Sequence, residues 1–152
     1  MKGVHKPFSH ATYSKYDQPA KDIILHNLRL LHCDDLSWAF EVNGDKYGPD
    51  IVVSRNGEPT GFIEAEIKAN WGNCDKFPFT TVNVLERKGK FFKSNAELWL
   101  LNITMNRALV IRPESIKEER LVEIPNKYCH SGEMFYQVPI DEATLIRLET
   151  LF

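Results

Sequence analysis

The dipeptide Asn56-Gly57 constrains the fold of this chain more than any other feature of its sequence. Both residues tolerate the positive φ angles of a two-residue β-hairpin turn, and β-branched residues precede them. We therefore predict one strand over residues 50–54 and a returning strand over residues 61–68. Residues 36–42 alternate between apolar and polar side chains, which predicts a preceding strand and makes the three an antiparallel meander.

Other elements are predicted on either side of this meander. Apolar residues recur at helical spacing over residues 20–31, directly after Pro19, which predicts a helix. Downstream we predict a hairpin over residues 97–104 and 107–111, a strand over 133–138 and a terminal helix that begins at Asp141. Residues 79–95 leave open whether a short helix forms around 82–88.

The order of these elements is typical of one mixed α/β domain over residues 1–152, with a central mixed β-sheet flanked by helices. Residues 1–16 are polar and weakly periodic, and we predict an irregular N-terminal arm there. Hydrophobic residues make up 43% of the chain and charged residues 26%, as in soluble globular proteins. The sequence contains neither a signal peptide nor an apolar run of the roughly 20 residues that cross a bilayer. We therefore expect a cytoplasmic protein without a membrane partner.

The three cysteines do not point to a disulfide framework or to zinc. Their number is odd and their spacing is wide. The adjacent pairs His32-Cys33 and Cys129-His130 place metal-binding residue types side by side, but adjacent side chains diverge and no C-x-x-C spacing is present. The net charge of −2 neither favours nor excludes nucleic acid, since the placement of basic residues decides that question.

The chemically informative stretch is the returning strand. Residues two apart in a strand share a face, so Glu64, Glu66 and Lys68 point one way and the apolar residues between them point the other. A turn centred on residues 57–60 would place Asp50 opposite residues 66–68. The sequence therefore predicts contact between Asp50 and the Glu66–Lys68 end of the strand.

Two carboxylates and a lysine in contact have a plain chemical use. Asp50 and Glu66 offer the oxygen ligands that Mg²⁺ prefers. Lys68 could orient an attacking water, help to deprotonate it, or stabilise the transition state, and the sequence does not separate these roles. The alternative is a solvated β-face with a weak cross-strand ion pair. The predicted position of Asp50 favours the functional interpretation.

The segments Pro49-Asp50 and Glu66-Ile67-Lys68 resemble the motif of the PD-(D/E)xK nuclease superfamily, which has a restriction-endonuclease-like fold. The resemblance covers roughly residues 17–111, because a helix followed by a strand meander also looks like the core of that family. It implies that Asp50 and Glu66 are metal ligands, that the Ile67 carbonyl is a backbone ligand, and that Lys68 is the catalytic lysine.

Two further acids are considered beside this motif. Many members of the superfamily add an acid from the first helix, and Asp22 is the nearest candidate in this sequence. A surface position in the first helical turn explains Asp22 equally well. Glu64 has no role assigned by the resemblance, and we consider it as a residue that supports the ligands.

A basic segment follows the predicted site by some twenty residues. Arg87, Lys88, Lys90 and Lys93 surround two phenylalanines. In a nuclease these side chains would contact phosphates. A solvated loop anchored by its phenylalanines accounts for the pattern equally well, so both interpretations stay open.

The function that the sequence favours is a Mg²⁺-dependent endonuclease that cleaves phosphodiester bonds in DNA, with Mn²⁺ as a substitute ion. RNA stays open as a substrate, and the small size of the chain suggests a homodimer or a partner protein. One alternative is a catalytically inactive nuclease-fold protein that binds nucleic acid or serves assembly. A second is an α/β interaction protein with a solvated charged face.

Overall fold

The hairpin at Asn56-Gly57 is present in the computed structural model, which describes residues 16–126 and 129–150. The φ angles of these two residues are 53° and 80°, as a tight turn of the mirror-image type requires. The first strand lies one residue later than predicted and the returning strand begins three residues earlier, because Arg55 and Glu58 already form a pair next to the turn.

The elements follow one another in chain order, and we number the helices and strands as they occur. They are helix α1 (Gln18–Leu31), strands β1 (Trp38–Val42), β2 (Ile51–Arg55), β3 (Glu58–Lys68) and β4 (Thr81–Leu85), a 3₁₀ turn (Glu86–Lys88), the short helix α2 (Gly89–Phe92), and strands β5 (Ala96–Asn102), β6 (Arg107–Ile111), β7 (Leu121–Asn126), β8 (Cys129–Pro139) and β9 (Thr144–Arg147).

The central sheet has six strands in the order β1-β2-β3-β5-β6-β9. Strands β3 and β5 are parallel, and the remaining neighbours are antiparallel. The connection from β3 to β5 passes through β4, the 3₁₀ turn and α2. The predicted fold class, an α/β domain with a mixed central sheet, is therefore confirmed.

The two faces of the central sheet are covered differently. Helix α1 packs its apolar side on one face, where Ile24 lies in one cluster with Ile51, Ile63 and Leu101. The other face is covered by a second sheet of three strands in the order β4-β8-β7. There Leu98 and Leu100 of β5 pack in a cluster that also holds Val82, Val84, Trp71, Tyr136 and Val138. Side chains of β3 that point away from α1 therefore face the second sheet.

The predicted terminal helix at Asp141 is wrong. Ile140–Glu142 form a single 3₁₀ turn, and Thr144–Arg147 form β9, which pairs with β6 at the edge of the central sheet. Asp141 is of a residue type that favours the helix N-cap, but pairing with the free edge of β6 outweighs that local preference.

Three further segments complete the comparison with the sequence. Residues 79–95, left open above, begin as β4 and continue as the 3₁₀ turn and α2. Strand β7 was not predicted; it contains Pro125, which is tolerated because β7 lies at the edge of the second sheet. The predicted N-terminal arm lies outside the described residues except for Tyr16.

Among the helices of the described ranges, none has the length and apolar character needed to cross a membrane.

Candidate active site

Asp50 directly precedes β2 and is held there by hydrogen bonds on its backbone and on its side chain. The Asn43 backbone N–H donates to the Asp50 carbonyl at 2.9 Å, and the Asn43 side-chain amide donates to the Pro49 carbonyl at 2.9 Å. The Asp50 Oδ2 atom accepts a hydrogen bond of 2.8 Å from the backbone N–H of Ala65. The carboxylate of Asp50 therefore lies directly against β3.

The predicted register between β2 and β3 is wrong by two to four residues. Ile51 pairs with Ile63, so the next position outward places Asp50 opposite Glu64 rather than opposite residues 66–68. The turn is tighter than predicted, and the irregularity between Val53 and Ser54 moves the register only one residue back toward the predicted one. At about 3.3 Å per residue, Lys68 lies roughly 13 Å farther along β3 than Glu64.

Glu64 and Glu66 lie on the face of β3 that is turned toward the second sheet, and both contact a lysine from the crossover. The Lys88 Nζ atom is 3.0 Å from Glu64 Oε2 and 3.7 Å from Glu66 Oε1. The side chains of Lys88 and Glu64 are only 14% and 12% exposed, whereas that of Glu66 is 31% exposed. We refer to Asp50, Glu64 and Glu66 as the carboxylate cluster.

The second sheet fixes the backbone that presents Lys88. Lys88 ends the 3₁₀ turn that follows β4, and β4 is paired with β8. A Cβ atom built on the next residue, Gly89, would come within 3.2 Å of the Tyr136 hydroxyl of β8. This close approach keeps the turn against the second sheet and directs Lys88 across to β3.

Burial and the crowding of carboxylates govern the pKa values at the cluster. Burial raises the pKa of Glu64 to about 7, and the adjacent Asp50 carboxylate adds to this, although Lys88 opposes it. Burial alone would lower the pKa of Lys88, but the charges of Glu66 and Glu64 outweigh it and the pKa is raised. Lys88 is therefore a firmly protonated ammonium, and Glu64 holds its negative charge less readily than an ordinary glutamate.

Helix α1 adds a second lysine and a further acid. Lys21 is buried, and its Nζ atom lies 3.6 Å from Asp50 Oδ1 and 3.0 Å from Asp17 Oδ2. Asp22, the acid considered from the sequence, is exposed and accepts a hydrogen bond of 2.9 Å from Gln18. Asp17 is thus the acid of this helical segment that is linked to the cluster. The i,i+4 spacing of Asp17 and Lys21 was the available signal, and sequence reasoning missed it.

Lys68 and Ile67 end β3 beyond the cluster. Ile67 packs its side chain on the α1 face, so its backbone carbonyl is the group it can offer to an ion. The Lys68 carbonyl accepts a hydrogen bond of 3.0 Å from Trp71, which begins the following loop. Within residues 16–126 and 129–150, no carboxylate lies within ion-pair distance of the Lys68 ammonium.

The basic segment after β4 divides into two kinds of residue. Arg87, Lys90 and Lys93 are exposed, and the Lys90 ammonium lies 5.1 Å from the ring centre of Phe91. Lys88 differs from these three because it points into the carboxylate cluster.

The chemistry of the donor set fits a hard divalent cation. Four carboxyl groups, those of the cluster and Asp17, are accompanied by the ammonium groups of Lys21 and Lys88. With all of them ionised, two negative charges are in excess, and carboxylate oxygens are the ligands that Mg²⁺ prefers. In the part of the chain that is described, no three Asp, Glu, His or Cys side chains already surround one ion position. The ligand set implied by the resemblance uses two side chains and one carbonyl.

A comparison with solved structures finds similarity to Hjc, a Holliday junction resolvase from the archaeal hyperthermophile Archaeoglobus fulgidus. The identity is 13%, the TM-score is 0.37, and the match covers 75% of this chain and 81% of the resolvase chain. No family model and no curated protein sequence matches the chain. The assignment of a function therefore depends on the geometry of the site.

Proposed function

We propose that this chain is a Mg²⁺-dependent endonuclease of the PD-(D/E)xK type that hydrolyses phosphodiester bonds in DNA. The observation that carries the proposal is the hydrogen bond from the Ala65 N–H to the Asp50 carboxylate. This contact holds the acid that precedes β2 against Ala65 of β3, the residue between Glu64 and Glu66. The order of elements supports it: a helix, an antiparallel meander and a crossover to a parallel strand agree with the restriction-endonuclease-like fold implied by the resemblance.

In this proposal the ion is held by Asp50, Glu66 and the backbone carbonyl of Ile67. Glu64 is a further candidate ligand, because it is the glutamate that the register places opposite Asp50. Mn²⁺ substitutes for Mg²⁺ because it accepts the same oxygen ligands. When bound, the ion activates water for attack and offsets the charge that builds on the phosphodiester.

The remaining residues position the substrate and the attacking water. Lys68 follows Glu66 by two residues on β3, and its ammonium is free of carboxylate partners among the described residues. It is therefore available to orient the water or to stabilise the negative charge of the transition state. The exposed Arg87, Lys90 and Lys93 contact the phosphates of the substrate.

The substrate class and the assembly belong to the proposal. We expect DNA as the substrate, and RNA is the competing nucleic acid in the assay. In this proposal a homodimer or a partner protein completes the substrate-binding surface.

One observation favours a second candidate function. The Lys88 ammonium already compensates part of the charge of Glu64 and Glu66. If this compensation is permanent, the chain is a nuclease-fold protein without catalytic activity. Such a protein binds nucleic acid or serves in an assembly.

Cleavage of supercoiled plasmid, branched DNA and single-stranded RNA, each with Mg²⁺, Mn²⁺ or EDTA, separates the two candidates. We expect metal-dependent cleavage of DNA by the wild type, and loss of it in Asp50→Asn and Lys68→Ala. Asp22→Asn is the matched control, because it removes the same charge at an exposed position of α1. Cleavage that survives equally in Asp50→Asn and Lys68→Ala would show a contaminating nuclease, and binding of DNA without cleavage would support the inactive alternative.

A further inference from the structure

Lys88 is the residue of the basic segment whose position the sequence did not explain. Its ammonium lies between Glu64 and Glu66, at 3.0 Å and 3.7 Å from their nearest oxygens. The two glutamates are adjacent on one face of β3, and Lys88 reaches them from the second sheet. The carboxylate cluster therefore holds a cation supplied by the chain itself.

The other lysines near the site do not share this position. Lys21 binds Asp50 and Asp17 from the side of α1. Lys68 has no carboxylate partner in the described part of the chain. Lys88 is thus the lysine whose removal would leave both glutamates without their positive partner.

An ammonium held by two carboxylates occupies ligand oxygens that a divalent cation would use. Mg²⁺ and Mn²⁺ bind carboxylate oxygens directly, and a positive charge only a few ångströms from the ion opposes that binding. The lysine side chain is a flexible four-carbon stem, so the ammonium can leave while the backbone of the turn stays packed against Tyr136.

We propose that Lys88 is a built-in counter-ion of the carboxylate cluster, and that a divalent cation binds by displacing its ammonium from Glu64 and Glu66. This inference rests on the proposed function, because it requires a divalent cation at the cluster. Lys88 is a positioning residue in this account: it keeps the two glutamates together in the metal-free protein and gives them up to the ion.

The first test measures Mn²⁺ binding to the metal-free full-length chain by electron paramagnetic resonance titration. Lys88→Met removes the charge but keeps the length of the side chain, and we expect about tenfold tighter binding or more. Lys88→Arg keeps the charge and should bind within about threefold of the wild type. Lys117→Met is the matched control, since it removes the same charge at an exposed position outside the carboxylate cluster, and it should also stay within about threefold.

The second test needs no variant. Lysine side-chain ¹⁵N spectra of the wild type should show a protected Lys88 ammonium in the metal-free protein, because it is buried and bonded to Glu64. Addition of Mg²⁺ should shift that signal or remove its protection.

The outcomes distinguish this inference from the proposed function. Equal Mn²⁺ affinity of the wild type and Lys88→Met, or a Lys88 signal unchanged by saturating Mg²⁺, would overturn the displacement and leave the metal site standing. Equal tightening in Lys88→Met and Lys117→Met would reduce the effect to net charge and would also overturn it. Absence of Mn²⁺ binding in both the wild type and Lys88→Met would overturn the inference together with the proposed metal site.

Discussion

Glu142 and Glu64 are both paired with basic side chains, yet their pKa values shift in opposite directions. Glu142, in the 3₁₀ turn before β9, accepts hydrogen bonds from both terminal nitrogens of Arg120. Those hydrogen bonds lower its pKa to about 2. Glu64 is paired with Lys88 at 3.0 Å, yet burial raises its pKa to about 7.

The difference lies first in burial, which dominates at Glu64, and then in how much positive charge each carboxylate receives. Arg120 serves one carboxylate with two parallel hydrogen bonds, which is a strong and fully satisfied arrangement. Lys88 divides one ammonium between Glu64 and Glu66, while Asp50 adds a third carboxylate to Glu64. The Arg120–Glu142 pair stabilises the fold, whereas the carboxylate cluster has too little positive charge beside it and is suited to bind a cation.

The largest expected effect is a difference in the rate of DNA cleavage between a variant of the carboxylate cluster and a variant of the Arg120–Glu142 pair. Asp50→Asn removes a carboxylate from the cluster and should lower the rate of DNA cleavage by about a hundredfold or more, because charge stabilisation at the site is lost. Glu142→Gln removes a carboxylate from the satisfied pair and should leave the rate unchanged. Initial rates of plasmid nicking under saturating Mg²⁺ measure both. Equal losses in the two variants would indicate a general effect on folding and break the comparison.

The next effect concerns stability without metal. Lys88→Met leaves the carboxylate cluster without the ammonium between its glutamates, and we expect the free energy of unfolding at pH 7 to fall by about 1–3 kcal/mol. Arg120→Met removes the partner of Glu142, whose side chain is more exposed than that of Glu64. The loss in the free energy of unfolding should therefore be smaller. Urea unfolding in EDTA measures both variants. A larger loss in Arg120→Met would contradict the view that Lys88 supports the cluster in the metal-free state.

The third prediction concerns how the contribution of Glu142 to the free energy of unfolding depends on pH. A carboxyl whose pKa is lowered from 4.5 to about 2 in the folded state contributes stability above pH 4.5. That contribution is lost as the pH falls toward 2, because the folded state must then take up the same proton as the unfolded state. The difference in unfolding free energy between wild type and Glu142→Gln should therefore shrink between pH 5 and pH 2. A constant difference over that range would show that the ion pair does not stabilise the fold.

The smallest effect tests how Lys88 is presented. Gly89→Ala places a Cβ atom 3.2 Å from the Tyr136 hydroxyl and should shift the turn, at a cost of about 1 kcal/mol or less. Gly44→Ala is the matched control, because its Cβ would meet no atom within 4 Å. Thermal unfolding of the two variants in EDTA gives the comparison. Equal melting temperatures would show that the contact with Tyr136 does not hold the turn.

Local sequence signals were sufficient for most of the fold around the site. The Asn56-Gly57 turn, the spacing of apolar residues in α1 and the alternation in β3 each reflect interactions between near neighbours in the chain. These signals predicted which residues of β3 share a face. They could not fix the register, because a difference of one or two residues in the turn moves Asp50 from Glu66 to Glu64.

The parts that the sequence did not predict depend on distant contacts. Lys88 meets Glu64 across 24 positions of the chain, and that meeting requires a second sheet in which β7 was not predicted. The strand β9 replaces a predicted helix because β6 offers it an open edge. Asp17 was overlooked in favour of Asp22 because the direction of a side chain at the start of a helix depends on what the helix packs against.

The central claim, that the carboxylate cluster is a divalent-cation site, is tested most directly by counting bound ions. Mn²⁺ titration of the metal-free chain, followed by electron paramagnetic resonance, should give a saturable site on the wild type and on Asp22→Asn. The same titration should show that this site is lost in Asp50→Asn. Saturable binding that is unchanged in Asp50→Asn, or no saturable binding to the wild type, would contradict the account.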